Sequence, residues 1–340
     1  MELLGLDSNF VRIGPLKCTN IQWNRRYYEA GDFQLELLAS DWDTSIAYIY
    51  TSRRPETGMV EKIEAKHTIK GDFILVSGFF LEGMLNWKIT KPKHSSTGNV
   101  CAACKGLVMA LMADSGVSVV TEADIGDSEP FDSENEDLGD ATYAALQKQE
   151  LSQRIRFDYE TETLLYRVWQ GLDRTQSQIV NTYAAFAQNF KNVDDLTLTQ
   201  DTSGMRNYAV VQYPLADVDT TMEIDLRAGS EPKRIRFIQT AVTQEEGQSD
   251  AHYQAAVESD ARTQMQDYAA VENLDAEVLQ NNIFYLTDYD LGDKCDIRDD
   301  RLGLAFEARI IEVNEVWKNN EHKVGVQFGN RIPTAYRRGY

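Results

Sequence analysis

The chain has 340 residues, 42% of them hydrophobic and 26% charged, with a formal net charge of -20. That length allows two or three domains, and the acidic balance argues against nonspecific binding to nucleic acid or anionic lipid, which rests on Lys and Arg. No run approaches the roughly 18–20 apolar residues of a membrane span, and MELLGLDSNFVRIG lacks a basic region followed by an apolar core, so neither membrane insertion nor a secretory signal is expected.

Residues 16–92 read as β. Two extended runs in 21–40 are broken by Ala30-Gly31-Asp32, and Phe33, Leu35 and Leu37 alternate with Gln34 and Glu36, the period of a half-buried strand. A second strand series spans 59–80, with a turn at Gly71-Asp72. Short strands at this spacing suggest a small barrel or sandwich. Residues 93–152 differ. Asn99 can cap a helix on which Val100, Cys104, Leu107, Val108 and Leu111 share one face. Nine carboxylates fall in 122–140, and no Lys or Arg lies between Lys105 and Lys148. A helix is expected from about Ala141 to Ser152.

Strands return at 154–175, where Ile155 and Phe157 alternate with Arg154, Arg156 and Asp158. Leu164, Tyr166 and Val168 form the reverse strand, reached through Thr161-Glu162. Strands continue to about Val242, with 222–229 and 233–239 as a further pair. Residues 249–281 are expected to be helical, with Val257, Ala261, Met265 and Tyr268 on one stripe and Asn273 capping a second short helix. Residues 283–293, 294–313 and 322–330 then read as β.

The candidate chemistry is sparse. The four cysteines (Cys18, Cys101, Cys104 and Cys295) form no disulfide framework and fit synthesis in a reducing cytoplasm. Cys101 and Cys104 have a spacing found in zinc and thiol-exchange sites, but a structural zinc needs about four ligands. Here the remaining cysteines are isolated, and a loop rather than a strand precedes the pair. The favoured reading is two thiols on the buried stripe of a helix. A calcium loop starting at Asp132 fails, because position six is Asp137 and position twelve is Tyr143. His67, His94, His252 and His322 build no HExxH, and nucleophile-elbow, phosphate-loop and dinucleotide fingerprints are absent. No catalytic, cofactor or metal residue is therefore assigned.

The stretch 290-DLGDKCDIRDDRLGLAFEARIIEV-313 gathers five aspartates around Cys295. Its alternation reads as a hairpin: Cys295 and Ile297 inward, a turn at Asp299–Gly303, then Leu304, Phe306, Ala308 and Ile310 inward. The phase slips at Ile310-Ile311, as a β-bulge would make it. On this reading the aspartates sit at strand ends, in the turn or on the outward face.

Taken in order, these segments resemble the siphophage tail proteins related to the baseplate hub, the tail-associated or tail-tip hub family. The residues that carry the resemblance begin with Trp23, Arg25-Arg26, Tyr27-Tyr28 and Gly31-Asp32-Phe33. The segments 58–66 and 77–89 follow, then Gly171, Asp173, Arg174 and Thr175, and finally 288-DYDLGD-293, 308-ARIIEV-313 and 328-FGN-330. The likeness covers nearly the whole chain. It departs at Asn86-Trp87-Lys88-Ile89, where such proteins often have Arg-Arg-Ile. Many relatives also continue past the last strand into a lytic or receptor-binding region, whereas this sequence ends shortly after Asn330.

The resemblance implies an α+β, mostly β chain with two small tail-tube-like β-barrels, an α/β insertion and a flanking long helix. Residues 1–92 would form the first barrel and 93–176 a peripheral α/β domain with the acidic loop. Residues 177–246 with 283–332 would form the second barrel, and 247–282 a helix packed on it. It implies a homotrimeric hub ring of a bacteriophage or prophage tail tip, located in the virion tail. Expected partners are the distal tail ring protein, the tail tube or tape-measure protein, and fibre or spike proteins. DNA would pass through the lumen without specific binding, a passage that the acidic balance of the chain would suit. The alternatives are a tail-associated cell-wall hydrolase, or a glycan binder using Trp169 or Trp317.

Overall fold

The computed structural model describes residues 1–69, 71–216, 218–244, 247–266, 268, 271–299, 304–319 and 321–329. The chain is mostly β, as expected, and divides into two compact units. One comprises Met1–Leu196 with Asp275–Phe328, the other Thr197–Leu274 with Gly329–Tyr340.

The larger unit is organised by a long sheet. Its strands run in the order Glu321–Gly329, Leu304–Lys318, Cys18–Arg26, Asp32–Leu38, Gly71–Phe79 and Lys62–Thr68, and beyond Glu321–Gly329 the ladder continues into Val271–Val278 and Val193–Asp201, which the unit boundaries at Asp275 and Leu196 divide. The consequential step is in the middle, where Cys18–Arg26 pairs antiparallel with Leu304–Lys318, Trp23 facing Glu315. Strands from the two ends of the sequence thus share one ladder. Along Cys18–Arg26 and Asp32–Leu38 burial alternates residue by residue. Trp23, Phe33, Leu35 and Phe80 are fully buried on the inner face, which is the period-two pattern read in structural form. The bulge is present: the register against Glu321–Gly329 shifts between Ile310 and Glu312. Among the described residues none of the sheets closes on itself within the single chain.

A second core lies over residues 100–169. Helix Val100–Leu111 starts at Asn99, whose side chain accepts from the Ala102 amide. It packs beside helix Leu138–Gln147 on a three-stranded sheet of Val117–Val119, Thr163–Trp169 and Ser152–Asp158. The second helix begins and ends earlier than its expected span of 141–152. Asp137 is extended at its start, while Glu150 takes a positive φ of 56° and Ser152 already opens a strand. Part of the acidic stretch is ordered by pairing: Phe131–Ser133 lies against His94–Ser96.

The smaller unit is a three-stranded sheet under a helix. Helix Asp250–Gln266 sets Tyr253, Val257, Ala261 and Met265 against Ala209, Val211, Tyr213, Ile224 and Ile238. Spacings of four keep this stripe on one face.

The structure departs from three further expectations. The segments 222–229 and 233–239 do not pair with each other. Val218–Asp225 and Ile235–Gln239 flank Tyr208–Leu215, antiparallel and parallel respectively. The central strand is the most hydrophobic of the three, so it takes the position covered on both edges. The second helix at Asn273 is instead the strand Val271–Val278, in which Leu274, Ala276 and Val278 alternate inward. Residues 283–293 form turns with a single bridge between Tyr285 and Tyr289 rather than a strand.

Candidate functional site

The hairpin reading of 290–313 holds for its strands: Lys294–Asp299 pairs antiparallel with Leu304–Lys318. The turn residues 300–303 lie outside the described residues. The outward placement fails for three of the five aspartates, and Asp300 lies outside the described residues. Asp293, Asp296 and Asp299 are buried. Buried carboxylates need donors, and these have them. Asp293 accepts from Arg174 Nε at 2.5 Å, from the Leu172 amide at 2.7 Å and from the Asp290 amide at 2.9 Å. Burial raises its pKa, and the Arg174 contact opposes that. Asp296 accepts from Tyr183 Oη at 3.0 Å and from the Gln176 amide at 3.3 Å. Asp293 and Asp296 thus both tie this strand to the stretch 172–183.

That stretch begins with the motif at 171–175, and in the larger unit the motifs meet. Arg25 is fully buried. Its Nη1 donates to Tyr285 Oη at 2.5 Å and to Asp290 Oδ1 at 2.6 Å, and its Nη2 stands 2.8 Å from Glu56. Burial pushes the guanidinium pKa down, but Glu56, Tyr285 and Asp290 more than reverse this, so Arg25 stays firmly charged. Arg26 binds Asp32 at 2.6 Å and Glu312 at 3.2 Å, tying both neighbouring strands to its own. Arg54 forks onto the buried Glu315, with one bond of 2.6 Å, and His322 Nε2 reaches the same carboxylate at 3.1 Å. Although burial alone would raise it, these bonds hold the Glu315 carboxyl below its usual range.

The glycines of the motifs serve close approach. A Cβ on Gly171 would lie 1.9 Å from the Gly292 carbonyl oxygen. Gly292 has φ +83°, and a Cβ there would lie 2.3 Å from the Tyr27 ring. Tyr27 Oη donates to the Glu150 carbonyl at 2.9 Å and accepts from the Gly171 amide at 3.2 Å. Burial lifts its pKa to about 12. Arg309 Nη1 donates to the Gly292 carbonyl at 2.5 Å, and its guanidinium lies 5.5 Å from the centre of the Tyr27 ring. Phe186 packs edge-on against both Tyr289 and Phe328. Residues from 25–33, 171–175, 288–293, 309–312 and 328 therefore build one junction.

The other candidates are structural in their surroundings. Cys101 and Cys104 are buried on the helix stripe, and burial pushes both thiols up, away from reactive thiolates. Trp317 stacks on His322 with ring centres 4.4 Å apart, and Trp169 packs edge-on against Tyr27 with Arg154 over its ring, so both indoles take part in packing within the fold. Among the described residues no three His, Cys, Asp or Glu side chains stand together as a metal site. No described helix is long and apolar enough to cross a membrane. Sequence reading missed Glu56, Tyr285 and Glu315, which lie outside the quoted motifs; Tyr285 and Glu315 meet Arg25 and Arg54 across the chain's two ends, and Glu56 meets Arg25 from a neighbouring loop.

The fold is that of prophage tail proteins. A tail protein of Neisseria meningitidis MC58 superposes with a TM-score of 0.61 at 12% identity, over 98% of this chain and 97% of its own. The 43 kDa tail protein of prophage MuSo2 from Shewanella oneidensis gives 0.61 at 12%, over 97% and 98%. Prophage tail protein gp18 from Listeria monocytogenes EGD-e gives 0.56 at 9%, over 99% and 97%. At these identities the likeness is one of fold. The family is shown by the sequence itself: residues 109–330 match the model of the Siphovirus ReqiPepy6 Gp37-like proteins, and the chain belongs to that family. It is a siphovirus tail protein family, whose place is the virion tail. No curated protein matches.

Proposed function

We propose that this chain is a structural component of a bacteriophage or prophage tail tip. Three copies would form a hub ring that continues or closes the tail tube and anchors fibre or spike proteins. In that ring the two β-rich regions act as tube-like barrels, completed by neighbouring copies. The observation that carries the reading is the junction. The motif residues that could have served chemistry are committed to holding distant segments of one chain together, within a fold matching prophage tail proteins end to end. The negative balance suits a lumen through which DNA passes, because like charge prevents adhesion. The ring acts without catalysis, and zymography on purified cell walls is expected to give no clearing.

Size-exclusion chromatography with light scattering, followed by electron microscopy, tests the ring. The expected particle has three times the 38.6 kDa mass of the chain and a central opening. A strict monomer at micromolar concentration that never joins tail particles would overturn the proposal.

A further inference from the structure

The outer face of the sheet formed by Ser152–Asp158 and Thr163–Trp169 carries three arginines that the junction does not use. Arg154 and Arg167 stand directly opposite each other, and Arg156 follows on the same face, opposite Leu165. Like charges in opposed positions weaken a strand pair, so the sheet's own stability does not call for them. Together with Pro55, Val120, Glu122 and Leu165 they line a cleft of about 50 Å³.

Two of the arginines have partners. Arg167 Nε donates to Glu122 at 2.8 Å, and Arg156 lies 3.6 Å from Asp158. The side chain of Arg154 has neither an ion pair nor a hydrogen bond among the described residues. Arg154 is half-buried and its nitrogens reach solvent, so its five N–H donors are open to an incoming acceptor. Arg154 is nonetheless held in place: it lies over the Trp169 ring, 4.4 Å from its centre, and Trp169 is fixed edge-on by Tyr27 at 4.9 Å. Burial lowers its pKa, and Arg25 and Arg167 act in the same direction against Glu56 and Asp290.

We propose that this cleft binds a carboxylate, that of an aspartate or glutamate side chain presented by a partner protein, with Arg154 and Arg156 as its donors. Planar guanidiniums match a planar carboxylate through paired N–H···O bonds. The cleft already holds one carboxylate, since Glu122 accepts a single bond from Arg167 Nε. That same negative charge disfavours a phosphate dianion more than a monoanion. Pro55, Val120 and Leu165 supply the apolar wall for the methylene groups of an acidic side chain. The volume is far below that of a metabolite pocket and suits one side chain reaching in.

The test is a titration of the arginine Nε–Hε resonances of the full chain at constant ionic strength, with acetate, inorganic phosphate and chloride as probes. Saturable shifts of Arg154 and Arg156 with acetate are expected, at least about threefold tighter than with phosphate. They should disappear in Arg154→Met and weaken in Arg156→Gln, an exposed change that leaves the fold intact. Tighter binding of phosphate would overturn the carboxylate assignment. Absence of saturation, or an equal response to chloride, would show an arginine face that is merely hydrated and would overturn the site itself.

Discussion

Glu82 is buried beside Glu56, and its Oε2 has no hydrogen-bond partner. Burial first, and the Glu56 charge second, raise its pKa to about 8. In the unfolded chain a glutamate titrates near 4.3. The folded form therefore holds a proton that the unfolded form has lost. Stability from this group is fully present at acid pH, declines as pH rises between the two values, and levels off above about 8. Glu82→Gln, which mimics the protonated acid, should leave stability nearly unchanged near pH 4 and raise it by a few kcal/mol at pH 8–9. Denaturant melts at three pH values read this directly, and an equal effect at all three would refute it. Gly292 offers a steric counterpart. Its left-handed φ and the nearby Tyr27 ring leave no room for a methyl group. Gly292→Ala should cost at least about 3 kcal/mol or abolish folding, whereas Gly14→Ala, which meets nothing within 4 Å, should shift the melting temperature little.

Among the elements, the strand Cys18–Arg26 has the largest consequence. It lies between Asp32–Leu38 and Leu304–Lys318 and supplies Trp23 to the core and Arg25 to the junction. Removing residues 1–26 would expose two ladder edges and leave Glu56 and Asp290 without their shared cation. Edges of that kind aggregate, and a buried carboxylate stripped of its partner costs roughly 3–5 kcal/mol. The truncated chain is expected to be insoluble, or to lack near-ultraviolet circular dichroism while keeping helical signal. A native-like spectrum would show that the remaining sheet holds without it. The same scale explains two sequence errors. Asn273 carries a capping residue type, but Leu274, Ala276 and Val278 take a period of two because Glu321–Gly329 is there to pair with them. Residues 222–229 and 233–239 look like a hairpin only while the intervening Tyr208–Leu215 strand is out of view.

For the whole molecule, the family and the tail fold agree with the motif series read along the chain, and the ring proposed from them awaits its mass measurement. The sequence by itself determined the local periods: the β character of 16–92, the Asn99-capped helix, the bulge at Ile310-Ile311 and the apolar stripe of Val257, Ala261 and Met265. These are set by neighbours within a few residues, so they are legible in one dimension. It also supplied the motif residues, without saying that they touch. Only the tertiary structure decided that Asp293 and Asp296 turn inward to Arg174 and Tyr183, that Arg25 bridges Glu56 and Asp290, and that Arg154 is left with open donors. Those pairings span more than a hundred residues in most cases. Burial of a charge depends on whether a partner arrives from elsewhere in the chain, which no local period records.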